Sequence, residues 1–357
     1  MNTLLLAPEI FTTDSGIPRM LRLYLKALCE IAGQKSEVRF VSLNDAAIEP
    51  AQLNLYSGPA LSKWSLCNRG KLKFVRETMR LSRGAGLIIC GHVAQLPVAW
   101  VASWFRPGLR TFLIAHGIEV WRPFTFLERI ALRNTHRILC VSDFTRREIL
   151  KHIKIDASRL VVIPNALDPA LEHKHDKAMQ GNSSPVILSV SRLSSADRYK
   201  GIDHLIAAMP TILQARPGTK LRIVGRGDDL PRLQNLVQEN KIADAVEFVG
   251  FVSDEQLRNE FSQCTCFALP SQKEGFGLVY LEAMTHGKPC VAANAGGAPE
   301  VINSDSGLIV PYGDISAIAN ACMQILAKKW DASVIRTCAQ VFSYSRFKDR
   351  LTALLPK

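Results

Sequence analysis

Short apolar runs recur along the chain, and each is followed by turn-forming or small polar residues. Near-continuous runs of Val, Ile and Leu are typical of strands buried on both faces of a parallel sheet. The pattern predicts six such strands in the first half of the chain and six in the second. They cover residues 3–6, 38–43, 86–90, 111–115, 137–141 and 160–163, then 186–190, 220–224, 246–249, 264–269, 290–293 and 308–310.

Segments with helical periodicity lie between the later strands, at residues 204–213, 230–239 and 315–327. Ser253 followed by Gln256 is a capping-box signature, which predicts a further helix at 254–262. Alternation of strand and helix is typical of a parallel, doubly wound α/β sheet. Because the alternation occurs twice, we predict two Rossmann-like doubly wound parallel-sheet domains facing a central cleft.

Loss of apolar periodicity places the boundary between these domains. Residues 169–184 collect His, Gly, Asn and Ser, which is typical of a linker. We therefore predict an N-terminal domain at 1–168 and a C-terminal domain at 185–342. The amphipathic segment 343–357 is predicted to return as a helix and pack on the first domain.

Composition supports a globular protein: 47% of the 357 residues are hydrophobic and 21% are charged. The opening MNTLLLAPEI has no basic region before its apolar run, so we expect a buried strand there and no signal peptide. No run approaches the roughly 18–20 apolar residues of a spanning helix. The nine scattered Cys favour reduced thiols, so a cytoplasmic location is expected.

The net charge of +12 is densest at residues 63–83, where seven Lys or Arg accompany one Glu. Trp64, Leu72 and Phe74 interleave with those charges. Such a stretch suits an anionic membrane surface or a diphosphate-bearing acceptor, and it equally suits a solvated helix face. Nucleic acid is not expected, since no nucleic-acid-binding module accompanies the charge. Trp100 and Trp104, at helical spacing, are interpreted as core residues.

Two glutamates flank a glycine-containing turn after the strand at 264–269. Gly275 and Gly277 allow backbone N–H groups at a helix start to approach an anion closely. Glu282 follows Glu274 by eight residues, and eight residues of helix rise about 12 Å. That separation would let one carboxylate hold sugar hydroxyls and the other hold ribose. Alternatively, Glu274 is a helix-dipole partner and Glu282 a surface charge.

Two cations follow the first strand of the second half. Arg192 and Lys200 should lie at the same edge of the sheet as Glu274, because ligands of open α/β sheets bind beyond the carboxyl ends of strands. A pair of cations beside a helix N-terminus suits a diphosphate leaving group, on which charge builds as the glycosidic bond breaks. As an alternative, both could be ordinary surface charges on a polar loop, but their position at the carboxyl end of a strand favours a site for a diphosphate.

Over nearly its whole length the chain resembles glycosyltransferase family 4, retaining enzymes with the GT-B fold. The resemblance rests on short motifs in a specific order. They are Ser15-Gly16, His116-Gly117, Val141-Ser142-Asp143, Pro164-Asn165-Ala166-Leu167-Asp168, Ser191-Arg192-Leu193, Lys200-Gly201, Val224-Gly225-Arg226-Gly227 and the Glu274–Glu282 pair.

The resemblance implies a role for each matching position. It also implies an enzyme that needs no divalent metal and no cofactor. Arg192 and Lys200 would contact the donor diphosphate, and Gly16 would let the first loop approach it. The family's usual glycine pair stands here as Gly16-Ile17, and Ala166 replaces the usual Gly. Glu274, with Gly275, Phe276 and Gly277 beside it, would contact the sugar hydroxyls. Glu282 would bind the ribose, and the backbone N–H of Leu278 would contact the phosphates. His116 would lie near the transferred sugar.

We expect a retaining, metal-independent transferase that uses a UDP- or GDP-linked sugar and a sugar or lipid-linked acceptor. Its place would be bacterial polysaccharide or glycolipid synthesis, with peripheral association at the inner face of the plasma membrane. A nucleotide-sugar epimerase of the same fold and a non-catalytic sugar- or lipid-binding scaffold remain alternatives. A nicotinamide-dependent oxidoreductase is not favoured, because no G-x-G-x-x-G follows the first strand of either half.

Overall fold

The structure is a computed structural model that describes residues 1–170 and 184–356. The strands within these ranges are β1 (Thr3–Ala7), β2 (Val38–Ser42), β3 (Leu61–Leu66), β4 (Leu87–Cys90), β5 (Arg110–Ala115), β6 (Arg137–Cys140), β7 (Leu160–Val162), β8 (Val186–Val190), β9 (Lys220–Val224), β10 (Val246–Gly250), β11 (Cys266–Leu269), β12 (Cys290–Ala293) and β13 (Gly307–Val310).

The α-helices in the same ranges connect these strands and close the chain. They are α1 (Gly16–Ala32), α2 (Pro50–Tyr56), α3 (Lys71–Leu81), α4 (Leu96–Trp104), α5 (Phe126–Asn134), α6 (Asp143–His152), α7 (Ile202–Ala215), α8 (Leu230–Glu239), α9 (Asp254–Gln263), α10 (Leu278–Thr285), α11 (Ala298–Val301), α12 (Ile315–Ala327), α13 (Ala332–Gln340) and α14 (Tyr344–Leu354).

The chain divides into two compact units. The first comprises Met1–Glu172 together with Phe342–Lys357, and the second comprises His173–Val341. Most of the predicted linker, residues 171–183, lies outside the described residues. Each unit contains one parallel sheet with helices on both faces, which confirms the predicted pair of Rossmann-like doubly wound sheets.

The first unit has a seven-stranded sheet in the order β3-β2-β1-β4-β5-β6-β7, and every recorded pairing is parallel. Strand residues such as Leu6, Ile88 and Leu113 form one core with Leu132 of α5 and Ile149 of α6. The sequence pattern missed β3. That strand lies at the edge of the sheet and is largely exposed, so it lacks the apolar run that marks the inner strands.

Helix α14 belongs to the first unit. Its Phe347 meets the ring of Tyr24 of α1 edge-on, with the centroids 4.9 Å apart. Lys348 of the same helix pairs with Glu30 of α1 at 2.9 Å. An apolar stripe thus holds the C-terminal helix against α1, with an ion pair beside it.

The second unit has a six-stranded parallel sheet in the order β10-β9-β8-β11-β12-β13. The structure confirms the predicted helices, with the bounds of α8 and α12 as expected, and Ser253 and Gln256 form both bonds of the capping box of α9. The predicted strand at 264–269 starts two residues later, because the backbone N–H of Cys264 still bonds to Glu260 and closes α9.

Two further sequence interpretations need correction. The basic stretch 63–83 is not one helix face: Lys63 lies on β3, a turn with positive φ at Asn68 and Arg69 follows, and α3 begins at Lys71. Trp104 is no core residue, since 62% of it is exposed. It lies at the end of α4, where it meets Trp100 edge-on with the ring centroids 4.5 Å apart.

All nine cysteines are free thiols, and eight of them are buried. Within residues 1–170 and 184–356, no helix has both the length and the apolar character needed to cross a membrane. Over the same ranges, no group of three or more His, Cys, Asp or Glu is placed to hold a metal ion.

Candidate functional site

In the second unit, the chain reverses its direction of winding between β8 and β11, which are neighbours in the sheet. Loops leaving two such strands diverge and open a crevice at their carboxyl ends, where ligands of doubly wound sheets bind. Arg192 and Lys200 follow β8, and Glu274 follows β11. The three predicted site residues therefore lie at the switch point of this sheet.

Lys200 and Glu274 form an ion pair across the switch point. The ammonium Nζ lies 2.7 Å from Oε2 of Glu274, and the two side chains are 18% and 16% exposed. Lys200 ends the 3-10 turn Ser195–Lys200, after which Gly201 takes a left-handed conformation and α7 begins. The turn thus delivers the lysine to the carboxylate at the sheet edge.

Arg192 is the exposed cation of the site, with 71% of its side chain accessible. Its guanidinium lies 3.1 Å from Oδ2 of Asp197, and the hydroxyl of Tyr199 donates to Oδ1 of the same carboxylate at 2.7 Å. Burial, followed by the bond to Asp197, raises the pKa of Tyr199, which keeps the phenol protonated and donating. Asp197, which the sequence interpretation missed, steadies Arg192 and leaves most of it open to an anion.

The turn after Glu274 brings the backbone to the start of α10. Phe276 is buried, and Gly277 has φ of 103°, which only glycine adopts readily. A Cβ at Gly277 would lie 2.3 Å from Cδ2 of Tyr280, whose hydroxyl donates to Leu269. The ring of Tyr280 therefore fixes the conformation of this turn, and α10 begins at Leu278.

This start position corrects the predicted separation of the two glutamates. Only the segment from Leu278 to Glu282 is helical, so α10 contributes a rise of about 6 Å between them and not about 12 Å. Gly275 and Glu274 belong to the turn before the helix. Glu282 is half-buried on the second turn of α10.

Gly296 and Gly297, which follow β12, support the same turn, and the sequence interpretation missed them. The backbone N–H of Gly297 donates to the carbonyl of Glu274 at 2.7 Å. A Cβ at Gly296, where φ is 62°, would lie 2.3 Å from that carbonyl oxygen. Adjacent glycines followed by a proline-containing helix start, Gly-Gly-Ala-Pro, were the available sequence signal.

The first unit has its own switch point between β1 and β4. Gly16 lies there, exposed at the first position of α1. The loop before it is anchored by Asp45, a fully buried carboxylate that accepts from the backbone N–H groups of Ile10, Phe11 and Thr12 at 2.7, 3.1 and 2.8 Å. Hydroxyl groups of Thr12 and Ser42 also donate to it. No sequence signal distinguished Asp45 from an ordinary turn residue.

His116 follows β5 at the same edge. It is buried, and its ring bonds the backbone of Gly91, while Nε2 has no partner among the described residues. Burial, then the nearby His92, lowers the pKa of His116 to about 3, so the imidazole is neutral at neutral pH. Glu119 accepts from the backbone N–H groups of His116 and Gly117 at 2.5 and 3.1 Å, which fixes the turn that carries the histidine.

Comparison with known proteins assigns both units to one family. Residues 16–171 match the model described as Glycosyltransferase Family 4, and residues 172–340 match the model described as Glycosyl transferases group 1. A GDP-mannose-dependent alpha-(1-6)-phosphatidylinositol monomannoside mannosyltransferase of Mycolicibacterium smegmatis is 30% identical over 275 residues, covering 70% of this chain and 67% of the relative. The chain belongs to glycosyltransferase family 4.

A further relative and a solved structure are also similar to this chain. The enzyme of the same description from Mycobacterium tuberculosis is 31% identical over 254 residues, so the match spans 65% of this chain and 65% of that relative. Among solved structures, Anabaena HepE in complex with UDP and glucose superposes with a TM-score of 0.80 at 21% identity, covering 99% of each chain. The structural likeness confirms the GT-B fold.

Within the family 4 framework, the structure gathers most predicted donor-site residues at one edge of the second unit. Arg192, Lys200 and Glu274 lie at the switch point, and the turn from Gly275 to Leu278 joins them. Glu282 lies farther along α10. Gly16 and His116 lie at the carboxyl edge of the sheet in the first unit. The ligand contacts implied for each of them stay predictions.

Proposed function

We propose that this family 4 member is a retaining, metal-independent glycosyltransferase that moves a sugar from a UDP- or GDP-linked donor to an acceptor hydroxyl. The proposal rests mainly on one structural observation. The Lys200–Glu274 ion pair lies at the switch point of the second unit, beside the exposed guanidinium of Arg192 and the start of α10.

The charges of this site match the parts of a nucleotide-diphosphate sugar. Arg192 and the N-terminal N–H groups of α10 offer donors to the diphosphate, and a helix N-terminus favours negative charge. Glu274 offers acceptors to sugar hydroxyls, while Lys200 holds that carboxylate and adds positive charge. Stabilising the departing diphosphate lowers the barrier to breaking its bond to the sugar.

Retention follows from the face of C1 that the acceptor attacks. The acceptor hydroxyl attacks C1 on the face from which the diphosphate departs, the bond from C1 to the diphosphate oxygen breaks, and a phosphate oxygen takes the hydroxyl proton. This route requires no side-chain base. His116, neutral near pH 7, suits a hydrogen bond from a sugar hydroxyl to Nε2 better than proton donation.

Relatives favour the proposed donors and acceptor class. The mycobacterial enzymes described above are GDP-mannose-dependent and act on a phosphatidylinositol monomannoside, and the Anabaena structure holds UDP and glucose. By analogy, we assign this chain a UDP- or GDP-linked sugar and a sugar or lipid-linked acceptor in bacterial polysaccharide or glycolipid synthesis.

A lipid-linked acceptor would require the enzyme to work at a membrane surface from the cytoplasm. Leu72 and Val75 of α3 are 88% and 41% exposed, and Trp64 of β3 is 45% exposed. Seven Lys or Arg share the stretch 63–83 with these residues. Exposed apolar side chains among cations are suited to an anionic bilayer surface. The proposed location is therefore peripheral, on the inner face of the plasma membrane.

A ligand panel in metal-free buffer tests the donor site. Thermal shift against UDP, GDP, ADP, TDP and CMP should give a clear stabilisation with UDP or GDP, about 2.7 kcal/mol at a hundred times Kd. Transfer is then assayed with the matching sugar donors and with EDTA present. Conversion of donor without any acceptor would instead indicate an epimerase, and folded protein that binds no nucleotide would contradict the proposed function.

Cosedimentation with vesicles tests the membrane proposal separately. Wild type should bind phosphatidylglycerol vesicles at low salt, and Leu72→Glu should reduce that binding. A matched control is Leu55→Glu, since Leu55 of α2 is also exposed and lies outside the stretch 63–83. Equal binding by both variants would contradict the assignment of this surface.

A further inference from the structure

A cavity of about 320 Å³ lies at the edge of the first unit's sheet opposite to Gly16 and His116. Its wall consists of Arg110, Phe112, His136, Arg137, Arg159 and Leu354. The volume is at the lower end of the range of ligand pockets, about 300–1,000 Å³. Four of its six wall residues carry nitrogen cations or an imidazole, and none carries a carboxylate.

Strand register and the turn before β7 bring the three arginines to one cavity. Arg110 opens β5, Arg137 opens β6, and Arg159 immediately precedes β7. Phe112 is the register partner of Arg137, and Ile138 is the partner of Leu160. Because side chains alternate along a strand, this register places Arg110 and Arg137 on the same face of two neighbouring strands. Arg159 ends the 3-10 turn Ala157–Arg159 just before β7 and lines the same cavity.

The positive charge of this cavity is not neutralised by ion pairs. Across residues 1–170 and 184–356, none of the three arginines has a carboxylate within ion-pair distance. Arg159 donates to the carbonyls of Leu132 and Arg133 at the end of α5, and Arg137 donates to the carbonyl of Ser158. Asp156 acts on Arg159 electrostatically but does not line the cavity.

His136 adds a further donor. The backbone N–H of Thr111 donates to its Nδ1 at 3.2 Å, so the neutral ring carries its proton on Nε2. Burial, then the charges of Arg110 and Arg159, lowers the pKa of His136, which is consistent with uncompensated positive charge around the ring.

The second unit offers a contrast at the corresponding edge of its sheet. The cavity there is lined by Lys220 and Arg222 and also by Asp244 and Glu247. Arg222 pairs with Glu247 and with Glu260. The charges of that cavity are therefore balanced. Of these two cavities, the one in the first unit presents arginines that have no carboxylate partner among the described residues.

We propose that the arginine cavity, defined by Arg110, His136, Arg137 and Arg159, binds a phosphate or diphosphate group. The planar guanidinium donates two parallel N–H groups to phosphate oxygens, and three guanidinium groups around one cavity suit a multiply charged anion. The group is either a free phosphate anion or the headgroup of an anionic lipid. Neither source involves the proposed donor site, which lies in the second unit.

Pyrophosphate titration of the full chain by calorimetry tests the proposal. The background carries Arg192→Ala and Lys200→Ala, so that the second unit's cations do not contribute a site. Arg110→Glu on this background should weaken pyrophosphate binding about tenfold or more, because one charge-assisted contact is replaced by repulsion. Arg346→Glu is the matched control, since Arg346 is exposed on α14, does not line the cavity and changes the charge equally.

Vesicles of phosphatidylglycerol distinguish the two sources. If a lipid headgroup is bound, Arg110→Glu reduces vesicle binding on top of the Leu72→Glu effect, and free pyrophosphate competes. If a free anion is bound, only the pyrophosphate titration changes. Thermal unfolding of Arg110→Glu should match wild type, because Arg110 is exposed at the start of β5. Equal affinities of the Arg110→Glu and Arg346→Glu proteins in both assays would overturn the proposal.

Discussion

Lys200 and Glu274 are 74 residues apart in the sequence, and Nζ of Lys200 lies 2.7 Å from Oε2 of Glu274. The pair joins the loop after β8 to the loop after β11. Each side chain is less than one-fifth exposed, so the contact is shielded from bulk water. Removing one partner leaves the other charge poorly solvated and misplaces it for any ligand at this edge.

We expect Lys200→Ala to lower turnover about 100- to 1,000-fold, because it removes a cation proposed to stabilise the diphosphate and releases Glu274. Steady-state transfer assays measure the change, and circular dichroism checks the fold. Lys273→Ala is the matched control, since Lys273 is exposed and also lies near the ring of Tyr199. Comparable losses in the two variants would indicate a general effect of loop charge.

Gly277→Ala should distort the turn that precedes α10. The substitution adds strain of about 1–3 kcal/mol at a φ of 103° and places a Cβ against the ring of Tyr280. We expect loss of donor binding in thermal-shift titrations. Gly218→Ala is the control: its φ is 83°, but its Cβ would meet only Ser184 Oγ at 3.6 Å. If the two variants bind donor equally, the clash with Tyr280 is not what fixes the turn.

Asp45→Asn should loosen the loop before Gly16. The amide of Asn keeps the shape of the carboxylate, but its NH2 group would face the N–H and hydroxyl donors that bond to Asp45. Losing these hydrogen bonds should lower the free energy of unfolding by about 1–3 kcal/mol. We expect a lower free energy of unfolding and a raised KM for the donor. Urea unfolding followed by tryptophan fluorescence suits the test, since Trp64, Trp100, Trp104 and Trp121 all lie in the first unit.

The control for Asp45 is Glu9→Gln in the same loop, where Glu9 accepts from the hydroxyl of Thr13 and from no other group in the described part of the chain. That contact is exposed, so its loss should change stability by less than about 0.5 kcal/mol. An unchanged KM in Asp45→Asn would separate this loop from donor binding.

The buried His116 predicts a pH dependence of stability. Its pKa in the folded protein is about 3, below the ordinary value of 6.5, so the unfolded chain binds more protons between these values. Stability contributed by the neutral ring is therefore present above about pH 6.5 and declines as pH falls, by up to about 1.4 kcal/mol per pH unit. His116→Gln should lose less stability than wild type between about pH 7 and pH 5.

Unfolding of the His116→Gln protein in urea at several pH values measures this difference. His152→Gln of α6 is the control, since it also removes one imidazole from the first unit. If the free energy of unfolding changed equally with pH in wild type and in His116→Gln, that result would contradict a neutral buried imidazole.

Phe347→Ala should detach α14 from α1. Phe347 is 1% exposed, and losing a buried aromatic side chain lowers the free energy of unfolding by about 3–5 kcal/mol. Phe126→Ala removes the same side chain from a position that is 76% exposed and should be nearly neutral. Equal unfolding midpoints would mean that the helix contributes little to the first unit.

The sequence by itself determined the positions of most strands and of several helices. Apolar runs, capping boxes and glycines act within a few residues, so twelve strand positions, the capped helix α9 and the return helix α14 could be predicted. It also placed Arg192, Lys200 and Glu274 just after strands, which is where doubly wound sheets bind ligands. The edge strand β3 was missed because an exposed strand has no buried run to mark it.

Only the tertiary structure decided which strand ends are neighbours. The order of β8 and β11 brings Lys200 to Glu274, the loop before Gly16 bonds to Asp45 about 35 residues away, and Gly297 bonds to the carbonyl of Glu274. Register aligned Arg110 with Arg137, and the turn before β7 brought Arg159 to the same cavity. Strand order and register depend on contacts between distant segments, and no local pattern of residues encodes them.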